Sequence, residues 1–135
     1  GARSWQLSNA PVLPMAALKA SLDIFEEAGL DQLRAKSIKL TAYLQFILEE
    51  VNKEYKAANG NDALKIITPT SPEERGCQIS IIINNNGKEV HRKLTDNGII
   101  VDWREPDVIR AAPVPLYNSF KDVFEFGQHL LNALN

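Results

Sequence analysis

The chain has 135 residues and a mass of 15.0 kDa, with 44% hydrophobic and 24% charged residues and a formal net charge of −2. That size and make-up suit one compact globular domain and exclude a disordered segment or a string of domains. The charges are interspersed, with no basic run or aromatic-interleaved stripe and no apolar stretch near the length of a membrane span, so neither nucleic acid nor a membrane is expected as partner.

Residues 1–13 read as irregular, with Pro11 and Pro14 marking the entry to a helix, where a missing N–H costs nothing. Leu18, Leu22 and Phe25 recur on one face of that helix, and Gly29 is placed to stop it. Asp31 is expected to cap a second helix running to about Tyr55, with Leu33, Leu40, Leu44, Ile47, Leu48, Val51 and Tyr55 inward. Its length would be roughly 35–40 Å at the α-helical rise. Asn59-Gly60-Asn61-Asp62 is a turn.

The pattern then changes to strands. Residues 64–68 and 77–83 are rich in β-branched residues, and Gln78 and Ser80 alternate with Ile79 and Ile81. Pro69, Pro72 and Gly76 mark the segment between them as a loop, and Asn84-Asn85-Asn86-Gly87 ends the second strand. A short helix with Val90 and Leu94 inward should stop at Asn97-Gly98. Residues 99–103 and 108–112 read as two more strands around the Arg104-Glu105-Pro106-Asp107 turn, and Pro113 and Pro115 keep the second from continuing. Ser119 with Asp122 three residues on resembles a capping box, opening a last helix with Val123, Phe126, Leu130, Leu131 and Leu134. The order α-α-β-β-α-β-β-α predicts an α+β domain, a small, mostly antiparallel sheet with helices packed on one face.

Groups suited to chemistry are few. His91 and His129 lie in helices with no Cys, His or Glu at metal-ligand spacing, so no metal is expected. Cys77, the single cysteine, excludes an internal disulfide framework and fits a reducing cytoplasm; at the start of an apolar strand it reads as a packing residue. Glu73 and Glu74 are adjacent in a proline-flanked loop and face water, and Gly87 and Gly98 are too isolated for a phosphate loop. Arg110 stands apart, because it interrupts the apolar run from Val108 to Leu116 with a charge it cannot shed. Either Asp102, Glu105 or Asp107 pairs with it across the neighbouring turn, or it is a fork reserved for a ligand carboxylate. On the residues alone both remain open.

Three segments carry a resemblance. Ile66-Ile67-Thr68-Pro69 followed by Glu73-Glu74-Arg75-Gly76-Cys77-Gln78 is one, and Ile109-Arg110-Ala111-Ala112-Pro113-Val114-Pro115-Leu116-Tyr117-Asn118-Ser119-Phe120 is another. The third is Leu7-Ser8-Asn9, followed by a proline and by Lys19-Ala20-Ser21-Leu22-Asp23-Ile24-Phe25. Together, in order and over essentially the whole chain, they resemble the C-terminal small domain of the kynureninases.

The resemblance implies an aminotransferase-like, pyridoxal-phosphate-dependent, homodimeric enzyme that hydrolyses L-kynurenine or its 3-hydroxy form to the anthranilate and L-alanine. It implies that Arg110 holds the substrate α-carboxylate and that Ser8 and Asn9 lie beside the aromatic ring. The cofactor's lysine, phosphate ligands and pyridine-nitrogen carboxylate would belong to a large domain outside these residues. Lys19, Lys36 and Lys121 are expected to face solvent on their helices. With Gly1 first and Met15 its only methionine, the chain reads as residues 1–135 of a longer protein, inactive by itself. Other readings are the small domain of a desulfurase or transaminase, or a free-standing module that binds an amino acid.

Overall fold

The computed structural model describes residues 8–135, so Leu7 of the N-terminal segment and the first half of the stretch read as irregular lie outside them. The chain divides into two compact units, one ending at Leu33 and the other Arg34–Asn135. The first unit holds α1 (Val12–Ala28) and the start of α2 (Leu30–Asn59). α1 begins two residues before Pro14, earlier than the prolines suggest, because a proline anywhere in the first helical turn gives up only an N–H that has no partner there. Gly29, at φ +79°, ends α1 by donating its N–H to the Phe25 carbonyl at 3.0 Å, and its own carbonyl accepts from Leu33 at 3.0 Å. α2 therefore starts at Leu30, and Asp31 sits in its first turn instead of capping it.

The second unit is built on the remainder of α2, a four-stranded sheet and two further helices: β1 (Leu64–Ile66), β2 (Ile79–Ile83), α3 (Gly87–Asp96), β3 (Asp102–Arg104), β4 (Val108–Ala111) and α4 (Phe120–Leu134). The strands lie in the order β1-β2-β4-β3 and every pairing is antiparallel. Along β2, Ile79, Ile81 and Ile83 point inward, and Ile109 and Ala111 of β4 join them. Leu40, Leu44, Leu48 and Val51 of α2, Val90 and Leu94 of α3, and Val123, Phe126 and Leu130 of α4 close over that face as one cluster. The other face carries Ser80, Ile82, Val108 and Arg110, none of them buried, so the expected arrangement of helices on one side holds. Within α2, Leu33, Ile47 and Tyr55 of the predicted stripe are only half-buried, and Ser37 and Thr41 are buried instead. The Thr41 hydroxyl donates to the Ser37 carbonyl at 2.8 Å, which lets it sit in the core without an unsatisfied group.

Local chemistry sets the element ends. α2 runs one turn beyond Tyr55 to Asn59, where Gly60 at φ +79° takes the Lys56 carbonyl at 2.8 Å. Asn52 then ties that end to the first strand, its Oδ1 accepting the N–H groups of Ala63 at 2.8 Å and Leu64 at 3.1 Å. β1 stops at Ile66, short of residue 68, where the Thr68 hydroxyl takes the Ser80 N–H at 2.8 Å in place of a strand carbonyl, and β2 starts at Ile79, not at Cys77. Cys77 is half-buried in the preceding loop. β3 starts at Asp102, later than residue 99, because the end of α3 uses the intervening chain. The Gly98 N–H bonds the Thr95 carbonyl at 2.9 Å and the Ile99 N–H reaches back to Leu94 at 3.0 Å, the paired closure of a Schellman motif. The expected capping box opens α4: Ser119 N–H donates to Asp122 Oδ2 at 2.7 Å, and Asp122 N–H to Ser119 Oγ at 3.3 Å.

Candidate functional site

Strand alternation decides where Arg110 points. Ile109 and Ala111 face the core, so Arg110 lies between them on the opposite face of β4 with its side chain 30% exposed. Register places Ser80 of β2 beside it on one side and Asp102 of β3 on the other. Of the three candidate partners, Asp102 is the one engaged, its Oδ2 accepting Arg110 Nε at 2.5 Å. The same oxygen accepts Arg104 Nε at 2.9 Å. Asp102 and Arg104 stand two apart on β3, which puts both on that outer face. The hydrogen bond from Arg110, assisted by the charges of Arg104 and Arg110, holds the Asp102 carboxyl below the usual aspartate value.

Two guanidiniums therefore share one carboxylate oxygen, leaving one positive charge in excess. Asp102 occupies Nε of Arg110; its two terminal nitrogens make no hydrogen bond to a described residue and keep an end-on pair of donors. This is the geometry that accepts a carboxylate. Arg104, expected in the turn that follows residues 99–103, instead ends β3, and that is what sets it beside Asp102.

Ser8 and Asn9 are exposed in the segment before α1 and belong to the first unit, while Arg110 belongs to the second. Two cations of α2 hold the loops around the sheet. Arg34 donates to the Pro72 carbonyl at 2.5 Å and Lys36 to the Pro115 carbonyl at 2.7 Å. Lys36 is thus half-buried and engaged, where its helix pattern suggested solvent. Those two loops carry the Glu73–Gln78 and Ala112–Phe120 strings, so α2 anchors both. Val114 N–H closes on Asn118 Oδ1 at 2.8 Å to shape the second. An open cleft of about 650 Å³ lies between this loop and the residues following α3, lined by Ile99, Val101, Pro113, Tyr117, Asp122 and Phe126 among others. Arg110 is not part of its wall.

His91 Nε2 lies 3.1 Å from the Val101 carbonyl, with its ring 5.9 Å from that of Trp103, a packed position. Among the described residues, no group of three or more His, Cys, Asp or Glu is placed to hold a metal ion, and no helix is long and apolar enough to cross a membrane. A Schiff-base lysine needs a desolvated amine. None of the lysines is buried; Lys19 pairs with Asp23 at 2.7 Å and Lys121 with Glu125 at 3.3 Å. No described lysine offers an amine of that kind.

Comparison with known proteins gives a consistent result. The family model described as "Kynureninase C-terminal domain" matches residues 33–130. Proteins named kynureninase match the chain end to end: that of Flavobacterium psychrophilum is 48% identical over 134 residues, 99% of this chain and 30% of that protein. That of Koribacter versatilis is 47% identical over 135 residues, 100% of this chain and 30% of that protein. The Mus musculus protein is 43% identical over 135 residues, 100% of this chain and 29% of that protein. The chain thus spans about 30% of the length of these curated relatives. With the domain model covering most of its length and the outer-face arginine inside the matched region, the chain belongs to the kynureninase family, as a C-terminal domain.

Proposed function

We propose that residues 1–135 are the C-terminal small domain of an enzyme that hydrolyses L-kynurenine or 3-hydroxykynurenine to the anthranilate and L-alanine, and that Arg110 holds the substrate's α-carboxylate. The observation carrying this reading is the charge imbalance at Asp102: two guanidiniums on one carboxylate oxygen, with the terminal nitrogens of Arg110 uncommitted among the described residues. An amino-acid carboxylate would complete the arrangement by two parallel hydrogen bonds. Asp102 fixes the guanidinium plane through Nε, so the outward edge is already oriented when the substrate arrives. Ser8 and Asn9 would line the aromatic-ring side of the pocket, as the resemblance implies. Pyridoxal phosphate, the electron sink for this chemistry, would be held by the larger remainder of the enzyme, which also supplies its lysine. A homodimer in the cytoplasm completes the proposal; the lone thiol of Cys77 fits a reducing compartment. The domain by itself would be inactive.

Arg110→Lys in the full-length enzyme tests the clamp. Lysine keeps the charge but not the planar pair of donors. Loss of this contact should cost about 2–4 kcal/mol, or roughly 30- to 1,000-fold in kcat/KM. A purely structural pair with Asp102 gives the reverse: a lower melting temperature and unchanged kcat/KM per folded enzyme.

A further inference from the structure

The strands present more positive than negative charge on the outer face of the sheet. Alternation puts Lys65 of β1, Arg110 of β4 and both Asp102 and Arg104 of β3 on that face, so three cations stand there against one carboxylate. Lys65 is remote from Arg110: it lies two strands away, about 10 Å or more between backbones at the usual strand spacing. Arg104 is close. It pairs across the sheet with Val108, two residues from Arg110 along β4, which makes it the diagonal neighbour of the candidate clamp. Glu105, next to Arg104 in sequence, is engaged by Lys88 at 3.0 Å. Among the described residues, neither Arg104 nor Arg110 has an acidic partner other than Asp102.

A carboxylate beside a single guanidinium makes a neutral pair, and its best geometry sets both oxygens on two parallel N–H donors. Asp102 does neither with Arg110. Its Oδ2 accepts Arg110 Nε at 2.5 Å and Arg104 Nε at 2.9 Å, and among the described residues only that oxygen is engaged. The second donor has two consequences. It holds the carboxylate in a single-pronged contact with Arg110, so Asp102 does not turn to take a terminal nitrogen as well. It also leaves the cluster of three groups one unit positive, where Asp102 and Arg110 alone would be neutral. We infer that Arg104 is a positioning residue for the substrate carboxylate: it ties down Asp102 and supplies the net positive charge that makes Arg110 attractive to an anion. Arg104 acts through Asp102 and through its field, so both effects fall on binding. The inference rests on the reading of Arg110 as the clamp.

The experiment uses the full-length enzyme with L-kynurenine and compares Arg104→Met, Arg104→Lys, Lys65→Met and Arg110→Lys, measuring kcat, KM and melting temperature for each. Arg104→Met should raise KM about 5- to 20-fold, the size expected for removing a unit charge one side chain away in a partly solvated site. Its kcat should stay within about twofold, the pattern of lost uniform binding. Arg104→Lys keeps the charge and a donor for Asp102, and should bring KM back to within about threefold of wild type; the same change at Arg110 should not. Lys65→Met removes an equal charge from the same face beyond a Debye length, and should change KM by less than about twofold. A merely bracing role at the edge strand predicts a lower melting temperature with KM unchanged per folded enzyme. That result overturns the inference, as does a loss confined to kcat, an Arg104→Lys as impaired as Arg104→Met, or a Lys65→Met that matches it. In each of those cases an impaired Arg110→Lys leaves the clamp standing. Normal kinetics in Arg110→Lys overturn the clamp and this inference with it.

Discussion

Gly127 offers the sharpest test of how the helices meet over the sheet. It lies in the middle of α4, where alanine normally stabilises by about 1 kcal/mol through backbone entropy and helix propensity. A Cβ at this position, however, would stand 2.3 Å from Ile47 Cγ2 of α2, well inside contact distance, and 3.8 Å from Val51 Cγ2. The methyl it meets is attached directly to a β-branched carbon with few rotamers, so it cannot swing aside cheaply. Overpacking of this kind costs about 1–3 kcal/mol. Against the propensity gain, Gly127→Ala should destabilise by a net amount of up to about 2 kcal/mol. Ile47→Ala removes the offending methyl, and in that background the same Gly127→Ala change should stabilise by about 1 kcal/mol. Urea unfolding of the four proteins of this cycle gives the coupling directly. If Gly127→Ala already stabilises the protein with Ile47 in place, the close approach of α2 and α4 is not what requires glycine.

Asp102→Asn should lower the melting temperature near neutral pH. Because the folded carboxyl titrates below its usual 3.8, its contribution is complete above that value and disappears as the pH falls through the lower folded value. The gap between wild type and variant should therefore close below about pH 3.8; a gap constant with pH would refute the ionic origin. Ser119→Ala removes one half of the cap of α4 and should cost about 1 kcal/mol in urea unfolding, with Ser119→Thr retaining most of it.

Local signals in the sequence were sufficient for the elements. The alternation of Ile79, Ile81 and Ile83, the stops at Gly29 and Gly98, and the Ser119–Asp122 cap each depend on a few neighbouring residues, and each is present. The features that escaped depend on residues distant in sequence. Nothing around Gly127 announces Ile47, eighty positions earlier, and nothing near Lys36 announces the Pro115 carbonyl. The late start of β3 follows from Ile99 being claimed by α3, a competition between two elements that each read correctly in isolation. At the candidate site Arg110 was conspicuous as a charge in an apolar run, but choosing Asp102 over Glu105 and Asp107 needs the cross-strand register. Arg104, in an exposed turn-side position, carries no such contrast with its neighbours.

The sharing of Asp102 also bears on how quickly an anion can find Arg110. From several ångströms away, the Asp102 carboxylate cancels one of the two guanidinium charges it bridges, so an approaching anion meets a single positive charge spread over two side chains. Beyond a Debye length that charge is screened, and selection for a carboxylate is made at hydrogen-bonding range. If Arg110 is the clamp, the association rate constant of an anion should fall modestly from low to physiological ionic strength, whereas dissociation should be sensitive to any loss of the paired donors.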